Sequence, residues 1–189
     1  MEAYNVITKR RTIRKFKQDK IDKSILIKLI EAARQAPSGS NIQPVRYIVV
    51  NDNLKCRQVF KETKWAGYLK DGTPKKGEEP VAFIVVLVDS VIRKDGAKHD
   101  IGAAVQNIML AAWDVGIGTC WMGAINRGNI KNILDIPEKY VIDTVVALGY
   151  AAEESYSEDE NDGIKYYKDD KGVMHVPKIR QDKMVIKWY

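Results

Sequence analysis

A chain of 189 residues with 45% hydrophobic and 30% charged residues is long enough to bury a substantial core and too apolar to stay disordered. Its net charge of +6 at pH 7 is modest, so charge alone does not mark it as a polyanion binder. The longest apolar run, Val81 to Val88, is far short of the roughly 20 residues that cross a bilayer, and the opening Met1-Glu2-Ala3-Tyr4-Asn5 lacks the apolar centre of a signal peptide, so a cytoplasmic protein with no membrane partner is expected.

The first feature along the chain is TKRRTIRKFKQDK, residues 8 to 20, in which six of the nine residues from Lys9 to Lys17 are basic. Asp22 then stands as an N-cap before Ile25, Leu26, Leu29, Ile30, Ala33 and Ala36, whose helical spacing runs until Pro37 stops it. VRYIVV (45–50) reads as a strand, and NDN turns the chain into a second amphipathic helix around Leu54 to Lys64. DGTPKKGEEP (71–80) is loop by composition. VAFIVVLV (81–88) is apolar at consecutive positions, which predicts a strand covered on both faces and therefore helices on each side of a sheet.

Lys98 to Val115 is apolar on nearly every face, so the helix it forms should be buried all round, in a domain this small at a subunit interface. GIGTCWMGAI (116–125) packs three glycines into a short apolar stretch, followed by a short helix near Asn129 to Leu134 and a strand at 143–150. After Tyr150 the chain turns acidic and loop-like; a hairpin is expected around Asp170-Lys171-Gly172, and residues 177–189 form a basic tail.

Several chemistries are absent from this pattern. Cys56 and Cys120 form no CxxC pair, and His99 and His175 have no metal-ligand spacing, so no metal site is expected. There is no G-x-S-x-G elbow to carry a hydrolytic triad. An enzyme with this sequence would draw its chemistry from a cofactor. The basic run has three readings at this point: a solvated face, a phosphate track for nucleic acid, or a cradle for something small. No helix-turn-helix, RNA-recognition aromatic pair, zinc finger or basic zipper accompanies it, which argues against nucleic acid.

The remaining motifs favour the cradle. Arg10-Arg11-Thr12-Ile13-Arg14, APSGSNIQP (36–44), DIGAAVQNIMLAA (100–112), GIGTCWMG (116–123), Ile136-Pro137-Glu138, Ala147 to Tyr150 and Lys178-Ile179-Arg180 occur in the order in which the FMN-dependent nitroreductases carry similar segments. The chain resembles that family over most of its length. The resemblance implies an α+β fold, a central and mostly antiparallel sheet flanked by helices in three α-β-α layers, as an intertwined homodimer. It implies one domain over 1–189, with an acidic loop and hairpin insertion at about 151–176.

By the same resemblance, Arg10 pairs with the FMN phosphate together with Lys178 and Arg180. Thr12 lies near the ribityl chain, and Arg14 reaches toward N1/O2 of the ring, where charge accumulates on reduction. Pro37, Ser38, Gly39 and Asn41 serve the neighbouring subunit's flavin. Amides near Met122 and Gly123 meet N5 or O4, and Arg11 is divided between a flavin contact and a surface ion pair. The implied activity is ping-pong hydride transfer from NADH or NADPH to flavin and then to a nitroaromatic or quinone, with no side chain strictly required as acid or base. The same residues would also suit an FMN-binding sensor or store without turnover. Two features depart from the family: Val45 follows Pro44 where an aromatic is common, and the insertion brings Tyr156, Tyr166 and Tyr167, which either line the site or stiffen a hairpin.

Overall fold

The computed structural model describes residues 2–93, 95–161 and 163–189. It opens with a helix that hydrophobic spacing does not single out, α1 (Ala3–Lys9), after which residues 10–20 run without regular structure across the molecule. Asp22 caps α2 (Lys23–Arg34), its carboxylate accepting the Ser24 N–H at 2.7 Å, and the predicted spacing buries Leu26, Leu29 and Ala33. Strand β1 (Val45–Val50) leads to α3 (Asn53–Lys61), capped by Asp52, and then to β2 (Ala82–Asp89). The long helix α4 (Lys98–Asp114), strand β3 (Ile117–Met122), α5 (Arg127–Ile133) and β4 (Tyr140–Tyr150) complete the main body.

The four strands form one antiparallel sheet in the order β1-β2-β4-β3. This explains the unbroken apolar run of β2. Ile84 and Val86, with Val146 and Leu148 of β4, pack against α2 and α4, whereas Phe83, Val85, Leu87, Val145 and Ala147 pack against Cys56 and Val59 of α3 and Ile130 of α5. The result is the expected α-β-α sandwich. One expectation is not met within a single chain: α4 buries Ile101, Ala104, Val105, Ile108 and Ala112, but Ala103, Gln106 and Leu110 on its other side stay half-buried. The sheet and α2 cover only one flank of a helix whose composition suits burial on both.

Glycines place the basic segment. Gly118 of β3 and Gly149 of β4 are register partners and leave a shallow trough at one end of the sheet. Ile13 and Phe16 fill it, 2% and 0% exposed. A Cβ built on Gly118 would lie 2.8 Å from the Ile13 Cβ, and one on Gly149 would lie 2.8 Å from the Phe16 Cβ, both closer than carbon atoms can approach. Backbone hydrogen bonds fix the same path: Ile13 N–H donates to the Thr119 carbonyl at 2.9 Å and Lys17 N–H to the Tyr150 carbonyl at 2.8 Å. With Ile13 and Phe16 as anchors, this run is not a free basic arm. Gly149→Ala should therefore cost about 1–3 kcal/mol through overpacking and lower the melting temperature by several degrees, as measured by thermal denaturation followed by circular dichroism.

Past β4 the structure corrects the sequence reading. The acidic stretch expected to be loop contains β5 (Ser155–Asp159), which pairs in parallel with β7 (Met174–Lys178), and β7 in turn pairs with β6 (Tyr167–Lys168) across the predicted turn. Strand β7 also runs two residues into what the sequence assigns to the tail. The hairpin is thus one part of a three-stranded accessory sheet, β5-β7-β6. Its only fully buried side chain is Met174, and β5 has no apolar face, so hydrophobic patterning could not mark it as a strand. A short helix, α6 (Gln181–Met184), precedes an exposed end.

Candidate functional site

The anchored segment turns its arginines away from the trough. Arg10 and Arg14 are half-buried, and Arg10 Nε and Arg14 Nη1 are buried nitrogens that no protein acceptor meets. Leaving a donor on a cation in that state is costly unless an anion completes it. Burial pulls the Arg10 guanidinium below its ordinary value, and it does the same to Arg11, where the charge of Arg10 adds to the effect. The Arg11 guanidinium donates to the Thr8 carbonyl at the end of α1. Thr12 is half-buried and bridges to Thr119, whose own hydroxyl is buried without a partner.

The insertion's three tyrosines divide. The Tyr166 ring lies 4.6 Å from the Arg14 guanidinium carbon and 4.9 Å from the Tyr68 ring, so it belongs to the arginine cluster. Tyr167 stacks on His175 at 4.9 Å and donates to Glu158 at 2.9 Å, and Tyr156 donates to Glu154; both stiffen the accessory sheet.

The Pro37–Asn41 loop is built elsewhere. Ser38 Oγ donates to Asp100 Oδ2 at 2.7 Å, the Gly39 N–H donates to Oδ1 at 3.2 Å, and Arg93 approaches the same carboxylate at 3.7 Å. Burial alone would raise the Asp100 carboxyl, but these donors outweigh it and hold it below the usual range. Ser40, Asn41 and Gln43 all have left-handed backbones, φ of 50°, 55° and 52°, and Gln43 ties the turn together through Ser38 Oγ and Asn41 Oδ1. A cavity of about 220 Å³ lies beneath it, lined in part by Pro37, Ser38 and Asp100. Pro37, Gly39 and Asn41 themselves are exposed.

Loop and arginines rest on different elements of the chain. The loop rests on Asp100 at the start of α4, whereas the arginine segment pairs with Thr119, just past the other end of that 17-residue helix, which is about 25 Å long.

Met122 is buried and its carbonyl accepts from Thr144 Oγ1, while Gly123 is exposed and a Cβ there would meet nothing within 4 Å. Lys178 and Arg180 are exposed; the Arg180 side chain binds Asp182 at 3.1 Å and its N–H donates to Glu160 at 2.5 Å, contacts local to the accessory sheet and tail. Both cysteines are buried, and burial pushes the Cys56 thiol up to about 12 and the Cys120 thiol up to about 11. A larger cavity of about 1180 Å³ beside Cys56, Arg57 and Pro80 contains none of the motif residues. Among the described residues no group of three or more His, Cys, Asp or Glu is arranged to hold a metal, and no helix is long and apolar enough to cross a membrane.

Asp100 and Glu153 hold the two candidate segments in place and were not among the residues singled out from the motifs. Asp100 had a signal, as the first residue of DIGAAVQN. Glu153, which accepts the backbone N–H of Arg14 and of Lys15, had none.

The nitroreductase family model matches residues 7–150. The chain belongs to the nitroreductase family. A relative from Archaeoglobus fulgidus, provisionally named NADH dehydrogenase/NAD(P)H nitroreductase, is 35% identical over 81% of this chain and 87% of its own. An FMN-dependent nitroreductase from Clostridium difficile superposes with a TM-score of 0.67 at 28% identity, covering 84% of this chain and 92% of the other. A Desulfovibrio desulfuricans protein, provisionally assigned as a nitroreductase and solved in complex with FMN, matches with a TM-score of 0.68 at 25% identity over 86% of this chain and 93% of that one.

Proposed function

We propose that this protein is a homodimeric, cytoplasmic NAD(P)H-dependent FMN oxidoreductase in which residues 1–189 act as one unit. The observation that carries the reading is the pair of buried, unpartnered guanidinium nitrogens on Arg10 and Arg14, on a segment anchored by Ile13 and Phe16. FMN suits them, with a phosphate dianion for Arg10 and a ring edge that gains charge on reduction for Arg14. The open space at Gly123 leaves room for a flat ring to approach backbone. When bound, FMN supplies hydride acceptance from NADH or NADPH and donation to an oxidised acceptor such as a nitroaromatic or quinone, in ping-pong order.

This chain's residues bind, orient and exclude; none is needed as an acid or base. The separation of the Pro37–Asn41 loop from the arginines supports a site shared between two copies, as does the tail, where Ile186 and Trp188 are 99% and 85% exposed and so find no cover on their own chain. The accessible side of α4, with Ala103 and Leu110, fits the same arrangement. Arg180 would join the phosphate, beside the exposed Lys178, only after leaving Asp182.

The test is an absorbance spectrum of the purified protein before and after anaerobic NADH or NADPH, followed by turnover with menadione and nitrofurazone. A flavin spectrum that bleaches, and acceptor-dependent NAD(P)H oxidation, are expected. Bound flavin without turnover would instead identify a sensor or store, and a protein that takes up no added FMN would overturn the reading.

A further inference from the structure

Arg14 is held by the segment after β4 in a way the basic segment alone does not provide. Glu153 is a carboxylate able to capture it. Its side chain is 4% exposed, and one of its oxygens, Oε1, accepts the Arg14 backbone N–H at 2.5 Å and that of Lys15 at 3.2 Å. The second oxygen, Oε2, is taken by Lys168 of β6 at 3.3 Å. Oε1 is thereby engaged twice and Oε2 once, and Arg14 Nη1 stays buried without a protein partner. Meanwhile Tyr166, just before β6, covers the guanidinium at 4.6 Å and is itself backed by Tyr68 at 4.9 Å.

We infer that Glu153, Lys168 and Tyr166 are positioning residues that keep the Arg14 charge oriented and uncommitted for the electron-rich edge of the flavin ring; this rests on the FMN reading above. The electrostatics follow from a count. Arg14 and Lys168 bring two positive charges against one negative charge on Glu153, leaving a single net positive charge beside the ring. Without Lys168 the net charge is zero and Glu153 Oε2 becomes free to compete for the guanidinium. Without the Tyr166 ring the guanidinium loses the surface that fixes its plane. In either case the reduced, more negative flavin loses stabilisation relative to the oxidised one, so the potential falls.

The experiment is redox titration of the FMN-loaded wild type and of Tyr166→Ala, Tyr166→Phe and Lys168→Met, with FMN dissociation constants from fluorescence quenching of each apoprotein. Tyr166→Ala and Lys168→Met should both shift the midpoint to more negative potential while weakening FMN binding less than about tenfold, the scale of one partly buried cation–π contact. Tyr166→Phe, which keeps the ring, should retain the wild-type midpoint. A purely structural role for the sheet predicts a lowered melting temperature with midpoints unmoved, and that result would overturn the inference while leaving the FMN reading intact. If Tyr166→Ala does not fold, Lys168→Met decides alone, because it removes one partly exposed ion pair. A wild type that binds no FMN would instead defeat the underlying reading and this inference with it.

Discussion

Replacing Arg10 with alanine should weaken FMN binding by about 1.5–3 kcal/mol, or roughly 10- to 150-fold, while leaving the apoprotein as stable as the wild type or slightly more stable. The two halves have one cause. In the apoprotein Arg10 carries a buried Nε with no acceptor and a guanidinium that burial disfavours, so its removal relieves a local cost. In the proposed complex the same group would be the charged donor to the phosphate, and its loss would leave that dianion short of a partner. Paired measurements of FMN affinity by fluorescence and apoprotein melting by calorimetry test both. Lower stability with unchanged affinity would mean that Arg10 holds the fold rather than the cofactor. Arg180→Ala should have a smaller effect on affinity, because that exposed side chain is engaged with Asp182.

The sequence was most informative where one local pattern served one local purpose. The N-cap Asp22, the spacing of α2 and the doubly covered β2 follow from propensity and periodicity, and the structure repeats them within a residue or two. Motif matching went further and located the arginine segment and the Pro-Ser loop. It could not supply the reasons those segments sit where they do. The trough formed by Gly118 and Gly149 is a relation between two strands and a third segment more than 100 residues away, and no window of sequence contains it. Glu153 meets the Arg14 backbone across 139 residues and lies in a stretch whose acidity reads as solvated loop. Strand β5 has polar side chains throughout and owes its form to pairing with β7. In each case tertiary pairing overrides a local signal that is weak or points elsewhere.

Two variants that each weaken FMN binding should restore part of it when combined in one dimer. Asn41→Asp keeps the left-handed backbone that aspartate tolerates and the oxygen that Gln43 Nε2 donates to, yet sets a negative charge where the loop would meet a dianionic cofactor. Arg10→Ala removes the charge on the other side. The loop is tied to Asp100 near the start of α4 and the arginine segment to Thr119 of β3, two different elements of the chain. If each site takes arginines from one subunit and the loop from its partner, a mixed dimer has one site with both lesions and one with neither. Co-refolding equal amounts makes half the dimers mixed, so about a quarter of wild-type FMN sites should return although both parents bind poorly. Flavin bound per protomer after gel filtration measures it directly. A mixture that binds no better than its parents would place the whole site within one chain, and the exposed Pro37–Asn41 loop would need another role.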